Sequence, residues 1–506
     1  MNVPAAACAK AIEAFEALPE EDRDAIRKRG ISPSDIVTQL GRLIHPRATI
    51  ELERAATLGD GIQALPTFRN CEKLGQALAQ GRASVFVPAS GDATRMFESL
   101  YKIRAYPNLS EGELARAANA GDGHAADALT TLRNIKHFAL WPDLGRLGCD
   151  PQDWRGVLDA MLSPSLLAVG QRAKGLIPFH AYGSIARTAV EEHCRCNLAL
   201  GVGKIHFTIK PNAVDDLVRA TTLASPGPGS GRTLNVSHSF QRSATDTICL
   251  AEDGSICRNG GGDIVFRAGG HGSLLSNLME TGGDIVFLRN IDSIVVEEKF
   301  PIINNVRSRM CEHLLALEEK IHSALRKAIN EGVVSDALEV ITKDLGLKTP
   351  DSEQSVKYYV ELLNRPIRVC GVIRAKGDVG GGLYWVRGPS SVSQVQIVED
   401  AQLSYSNNQQ RKIAKSLAYF NPVDMVCSIR DFNGSPFNLT DFRDDEAFII
   451  TKKSENGQLR WAYEHPGLWN GGMARWNSVF VEVPAETFQP VKRFSDLLGS
   501  FHRNDM

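Results

Sequence analysis

The stretch that most constrains this chain runs from Val85 to Phe97, VFVPASGDATRMF. Val85 to Ala89 are apolar enough for a buried strand; Ser90, Gly91 and Ala93 then break the pattern, and Arg95 opens a helical run. The order is strand, tight loop, helix N-terminus. Such a junction offers backbone N–H groups and the positive end of a helix dipole, and small side chains let a polyphosphate approach the backbone closely. The residues support two readings, a phosphate loop or a tight βα turn that only packs. Two well-known phosphate loops are excluded, because neither G-x-x-x-x-G-K-[ST] nor G-x-G-x-x-G occurs here.

At 506 residues the chain exceeds a typical single domain, so two or three structural units are expected. Its formal net charge of −2 argues against a surface built for nucleic acid or an anionic membrane. No apolar run reaches the length of a membrane span, and MNVPAAACAKAIEAFEALPEEDRD carries acids where a signal peptide is apolar. A cytoplasmic protein is the expectation. The cysteines include no C-x-x-C pair, and Cys194 and Cys196 form a lone C-x-C inside an expected helix, which reads as reduced thiols rather than zinc.

Three regions are expected along the chain. Residues 1–80 read as a helical region whose Gly59-Asp60-Gly61 turn is a solvated loop; 81–365 form the core, with helical insertions at 98–170 and 303–365; and 366–506 form an α+β part. Within the core, Lys174 heads the apolar segment KGLIPFHAYGS. The helix ARTAVEEHCRCNLALG, the strand KIHFTI and the helix NAVDDLVRATT then alternate, which predicts an α/β fold with a parallel, doubly wound sheet. SPGPGSGR reads as a surface loop, and TDTICLAEDGSI as two strands meeting at Asp253-Gly254.

The densest stretch is FRAGGHGSLLSNLMETGGDIVFLRNIDSIVV. His271 among Gly269, Gly270 and Gly272 lacks partners at metal spacing and is not part of a G-x-S-x-G elbow, so it reads as a structural, backbone-ordering hydrogen bonder. Asp284 to Leu288 read as a buried strand that leads to Asp292. A carboxylate at the C-terminal end of a central strand stands where ligands bind in open α/β sheets. Asp292 is therefore the metal candidate by position, with an Asp that only caps the turn as the alternative. From Ser308, Leu314, Leu317, Ile321, Leu325 and Ala328 recur at packing-helix spacing. Gly380, Gly381 and Gly382 read as a turn, and Lys492 follows Pro490 in a rigid approach to a helix.

Several of these stretches, in order, resemble the UDP-sugar pyrophosphorylase family, the UDP-glucose and UDP-N-acetylglucosamine pyrophosphorylase-like nucleotidyltransferases. SGDATR is similar to the family's A-G-G-x-G-T-R-L loop, with Ala89, Gly91, Thr94 and Arg95 matching. Lys174-Gly175 is similar to its P-K-G segment, Phe240-Gln241 precedes an acidic hairpin, AGGHGSL is similar to its P-G-G-H-G-D loop, FLRNID to F-V-S-N-I-D, and FQPVKRFSDLL to P-V-K-T-T-S-D-L-L. Ala93 departs from the usual glycine, Ala173 from the proline before the lysine, and the span from Gly272 to Asp292 is short. From about residue 20 to 502 the chain also resembles an uncharacterised bacterial family of similar length.

The resemblance implies a glycosyltransferase-A-like (Rossmann-like) open mixed sheet flanked by helices, with 366–506 completing the sugar-phosphate site. It also implies roles. Ala89, Ser90, Gly91, Asp92, Ala93 and Thr94 would bind the nucleotide, with Arg95 on its β- and γ-phosphates. Lys174 and Lys492 would neutralise the reacting phosphates. Gln241 and the backbone at Gly270 and Gly272 would read the base, uracil. Asp292 would hold Mg²⁺, and Glu399, Asn470 and Asn477 would contact the sugar. The implied partners are a nucleoside triphosphate and a sugar 1-phosphate, and the implied reaction yields an NDP-sugar and pyrophosphate. A glycosyltransferase that uses an NDP-sugar, or a non-catalytic nucleotide-sugar-binding protein, stays open as the alternative.

Overall fold

The computed structural model describes residues 13, 15–44, 50–106, 109–227, 230–349, 355–376, 381–388, 392–403, 405, 407–455 and 458–504. It divides into two units, the first comprising Met1–Leu74, Gln241–Val286 and Arg309–Val483, the second Gly75–Phe240, Phe287–Ser308 and Pro484–Met506.

The first unit is built on a mixed sheet in which Leu52–Ala55, Gly381–Arg387, Tyr419–Asn421, Ile367–Arg374 and Asp424–Ser428 lie side by side in that order. Ile367–Arg374 runs antiparallel to Asp424–Ser428 and parallel to Asn477–Glu482. Its sequence IRVCGVIR is buried at every position but the last, as a central strand covered on both faces requires. Arg368 is the polar exception: its Nη1 donates to Trp469 O at 2.5 Å and its Nε to Ser478 Oγ at 2.8 Å, while its buried Nη2 has no partner. A second sheet orders Phe266–Arg267, Thr247–Ala251, Gln458–Glu464 and Ile449–Glu455. Ile248 and Leu250, two residues apart and so on one face, join Ile26, Ile36, Leu40 and Tyr463 in a core with helices Glu20–Lys28 and Pro33–Ile44.

The second unit orders the end of Ile285–Arg289, then Ala83–Pro88, Lys204–Thr208 and Asn235–Ser239. The last three strands are parallel, as the strand–helix alternation predicts. Helix Ala189–Leu200 starts at a reciprocal Thr188–Glu191 cap and stops at Gly201, whose φ of 94° suits glycine. Helices Glu98–Arg104, Glu111–Asn119, Gly123–Arg133, Trp141–Arg146 and Trp154–Leu162 occupy the stretch read as helical. Phe494 stacks on Phe138 at 4.3 Å and against Phe97 at 4.9 Å, which seats the C-terminal segment on those helices.

Several expectations are corrected. Residues 52–64 are not helical: Leu52–Ala55, Thr57–Leu58 and Gly61–Ala64 are strands. Pairing with Gly381–Arg387 and Asn477–Glu482 outweighs the local Ala/Glu/Leu propensity. The Gly59-Asp60-Gly61 turn is solvated at Gly59, which is exposed, but packed at Gly61, where a Cβ would lie 2.4 Å from Val395, and Trp385 Nε1 donates to Asp60 O at 3.3 Å. Ala186–Thr188, read as the start of a helix, belong instead to the strand Ile185–Thr188, which pairs with Pro178–Tyr182. Gly381 and Gly382 open a strand rather than a turn, while Gly380 lies outside the described residues, as do Pro228 and Gly229 of the surface-loop tract and residues 1–12 of the N-terminal region. Among the described residues, no helix is long and apolar enough to cross a membrane.

Candidate functional site

In the second unit the strand Ala83–Pro88, buried through Val87, delivers the loop that follows it. Ala89 N–H donates to Thr208 O at 3.0 Å, tying the loop to the neighbouring strand. Lys174 N–H donates to Gly91 O and Ala93 N–H to Arg172 O, both at 3.0 Å, so a short antiparallel bridge stitches the loop to the segment that carries Lys174. Thr94 Oγ1 donates to Gly170 O at 3.0 Å. What remains open is the tip: the N–H groups of Ser90, Gly91 and Asp92 donate to no acceptor among the described residues, and a Cβ on Gly91 would meet nothing. Ala93 is fully buried at the start of the 3₁₀ turn Ala93–Arg95, so its methyl packs inward where the resembled motif has glycine, and its N–H is already committed. Arg95 is exposed and its guanidinium has no hydrogen-bond acceptor among the described residues.

Asp292 stands three residues beyond the strand Ile285–Arg289, in a loop held by buried groups. Arg289 donates to Ser293 O and Thr487 O, and His193 Nε2 donates to Ile291 O at 3.1 Å. Burial pushes His193 down to about 3, so it is neutral and acts here as an N–H donor. Gly175 is needed for close approach, since a Cβ there would lie 2.7 Å from Ile291 Cγ1. That approach brings Lys174 Nζ to 2.8 Å from Asp292 Oδ2, and Lys174 Nζ also donates to Val491 O at 2.5 Å. Lys492 Nζ reaches the same Oδ2 at 3.3 Å, and Val491 N–H donates to Asp292 O at 3.0 Å. The structure therefore brings Lys174, Asp292 and Lys492 together from three separate segments.

The electrostatics are those of a poised cationic cluster. Burial alone would raise the Asp292 carboxyl, but Lys174 and then Lys492 overcome it and hold it below the usual carboxylate range. Burial pushes the Lys174 ammonium down against the pull of Asp292, and Lys492 pushes in the same direction as burial. The two lysines differ in exposure: the Lys174 side chain is 15% exposed and that of Lys492 58%.

A divalent cation can be tested against this donor set. Asp292 Oδ1 is buried and has no hydrogen-bond partner, and among the described residues no group of three His, Cys, Asp or Glu could hold a metal. One carboxylate does not make a resident all-protein site. It does fit Mg²⁺ that arrives with a nucleotide, because that ion keeps waters and phosphate oxygens as its other ligands.

The first unit carries a separate cluster. His271 Nδ1 accepts from Leu468 N–H at 2.9 Å, so the ring proton sits on Nε2, which donates to Glu399 Oε1 at 3.1 Å. The ring stacks on Trp469 at 3.9 Å. Asn470 Nδ2 reaches Glu399 Oε1 at 3.3 Å and Gln402 Oε1 at 3.1 Å, which leaves Asn470 Oδ1 buried without a partner. Glu399 and Asn470 are thus joined, whereas Asn477 is not: it is buried and its amide donates to Leu363 O at 2.9 Å. Gln241 Nε2 is buried without a partner. Gly270 and Gly272 are pressed against their own unit, a Cβ on Gly272 lying 2.1 Å from Pro466 O and one on Gly270 2.7 Å from Glu464.

Sequence reasoning missed three contributors. Lys210 pairs with Asp92 at 2.5 Å, beside the open loop tip. Its signal was available, since Lys210 follows the strand Lys204–Thr208, parallel to Ala83–Pro88, and strand ends in such a sheet fall together. Gln402, and the bond from His271 to Glu399, have no signal in local sequence because each depends on long-range packing.

A strand-end cluster of two lysines and a carboxylate thus stands beside an open small-residue loop in a mixed α/β fold. By sequence the chain belongs to the family described as Domain of unknown function (DUF4301), whose model matches residues 19–503. No curated protein matches it. Among solved structures it is similar to a mutant of UDP-glucose pyrophosphorylase from Leishmania major in complex with UDP-glucose, at 12% identity over 96% of this chain and 79% of that one, with a TM-score of 0.47. It is also similar to the UDP-N-acetylglucosamine pyrophosphorylase from Trypanosoma brucei, at 11% identity over 96% and 78% of the two chains and a TM-score of 0.45.

Proposed function

We propose that the protein is a nucleotidyltransferase that forms an NDP-sugar and pyrophosphate from a nucleoside triphosphate, UTP, and a sugar 1-phosphate. The observation that carries this reading is the convergence of Lys174 and Lys492 on Asp292 Oδ2, with the Lys174 backbone tied to the loop at Gly91. A sugar 1-phosphate needs little help to become a nucleophile, because a phosphate monoester's second pKa is about 6. The barrier lies in bringing two polyanions together, and positioning with electrostatic stabilisation lowers it.

The open N–H groups of Ser90, Gly91 and Asp92 would take phosphate oxygens, with Arg95 on the terminal phosphates. Lys174, fixed by Asp292 and Val491, would stand as the rigid cation, and Lys492, more exposed, as the mobile one that follows charge onto departing pyrophosphate. Asp292 would hold Mg²⁺, which when bound supplies Lewis-acid charge neutralisation at phosphate oxygens.

A crystal structure with UTP and Mg²⁺ tests the assignment. Phosphate oxygens are expected on the N–H groups of Ser90 to Asp92 and the metal on Asp292; a triphosphate bound away from this loop would contradict it.

A further inference from the structure

In the first unit the strand Thr247–Ala251 turns back at Gly254, and the antiparallel bridge between Leu250 and Ile256 sets Cys249 directly opposite Cys257. Cys257 N–H donates to Cys249 O at 2.9 Å, and the two side chains share a small cluster with Ala462. Opposed residues of an antiparallel pair hold their Cα atoms about 4.5–5.5 Å apart, inside the range of about 4.4–6.8 Å that a disulfide spans. Among the other described cysteines, neither near pair meets this condition. Cys370 faces Met425 rather than Cys427, and Cys194 and Cys196 are two residues apart on one helix and point to different sides.

The pair is also set apart from the neighbouring core. Ile248 and Leu250 face the helices, while Cys249 between them faces the other way, onto Cys257 and Ala462. Its surroundings favour a thiolate. The neighbouring Cys257 thiol and the Arg267 guanidinium, with Arg460 nearby, outweigh burial and hold the Cys249 thiol below its ordinary range, whereas Cys249 and burial push Cys257 up. A polarised thiol beside a protonated partner is the arrangement of an attacking and a resolving cysteine.

We propose that Cys249 and Cys257 form a site of reversible disulfide formation that responds to peroxide. The Cys249 thiolate attacks one oxygen of hydrogen peroxide; the O–O bond breaks, the sulfur is oxidised to sulfenic acid, and the departing hydroxide takes a proton to leave as water. Cys257 sulfur then attacks the sulfenic sulfur, losing its proton as the S–O bond breaks and a second water leaves. Two thiols and one peroxide give one disulfide and two waters. Both thiols are buried, so the site excludes an oxidant as bulky as oxidised glutathione and requires one as small as hydrogen peroxide.

The test treats the full chain with hydrogen peroxide, alkylates the remaining thiols, and maps linkages by non-reducing peptide mass spectrometry. The expected result is a single linkage joining Cys249 to Cys257, reversed by dithiothreitol and not produced by oxidised glutathione over the same time. In Cys257→Ser the same treatment should leave a sulfenic acid on Cys249 that dimedone traps. The proposal is overturned if both thiols remain alkylatable after the half-buried Cys71 and Cys149 have been oxidised. It is also overturned if the linkage joins other cysteines, or if Cys249 proceeds to sulfinic acid in the wild type without a link. The wild-type map decides the matter even if the variant does not fold.

Discussion

Replacing Lys492 by alanine separates the stabilising part of the cluster from the part that handles substrate. Lys492 Nζ lies 3.3 Å from Asp292 Oδ2, and its side chain is more than half exposed. An ion pair so open to solvent contributes about 0.2–1 kcal/mol. Asp292 would also keep its shorter bond to the buried Lys174. Folding stability should therefore fall by less than about 1 kcal/mol, read from the urea midpoint at unchanged slope. Turnover should fall far more. A cation that follows charge onto departing pyrophosphate acts mainly in the transition state, and its loss is expected to cost at least about a hundredfold, or about 2.7 kcal/mol, in kcat. The paired assays are urea unfolding followed by fluorescence and pyrophosphate release under saturating substrates. The reasoning is refuted if Lys492→Ala turns over within about threefold of the wild type, or if it unfolds by several kcal/mol, because either result would make the residue structural.

Lys174→Ala should behave in the opposite way on stability, losing about 3 kcal/mol in chemical denaturation, since it leaves a buried carboxylate with only the exposed Lys492 as partner. Gly175→Ala should cost about 1–3 kcal/mol through overpacking on Ile291 and lower turnover with it, checked by the urea midpoint and the same pyrophosphate assay. Acid should destabilise the protein through its buried histidines. His193 and His502 are held down to about 3 chiefly by burial, below their ordinary 6.5, so the unfolded chain binds the extra protons and stability falls as pH drops from about 6.5 toward 3. Each can contribute up to about 1.4 kcal/mol per pH unit, and His502→Asn should flatten the dependence of the urea midpoint on pH.

The parts legible in the sequence were those fixed by local pattern. VFVPA reads as a buried strand because five apolar residues leave no exposed face, and KIHFTI followed by NAVDDLVRATT announces a parallel crossover; both stand in the structure. The end of FLRNID was legible as well, since its strand is apolar through Leu288 and Asp292 is the first carboxylate after it. What local pattern could not supply was pairing at a distance. Leu52 to Ala64 carry helix-forming residues, yet form strands because Tyr384, Trp385 and Val481 lie opposite them. Ala93 looked like a defect when compared with a glycine motif, and only its burial beside Val169–Gln171 shows why a methyl is accommodated. His271 was read as a backbone-ordering hydrogen bonder, and it does accept from Leu468 N–H, but its bond to Glu399 depends on a residue 128 positions away.

The most direct test of the phosphate chemistry is pyrophosphate release by the purified protein with UTP, Mg²⁺ and a panel of sugar 1-phosphates, run beside Asp292→Ala. The expected result is release that depends on one sugar phosphate of the panel and falls at least about a hundredfold in the variant. No release from any nucleoside triphosphate across the panel, or equal release by Asp292→Ala, would contradict the account.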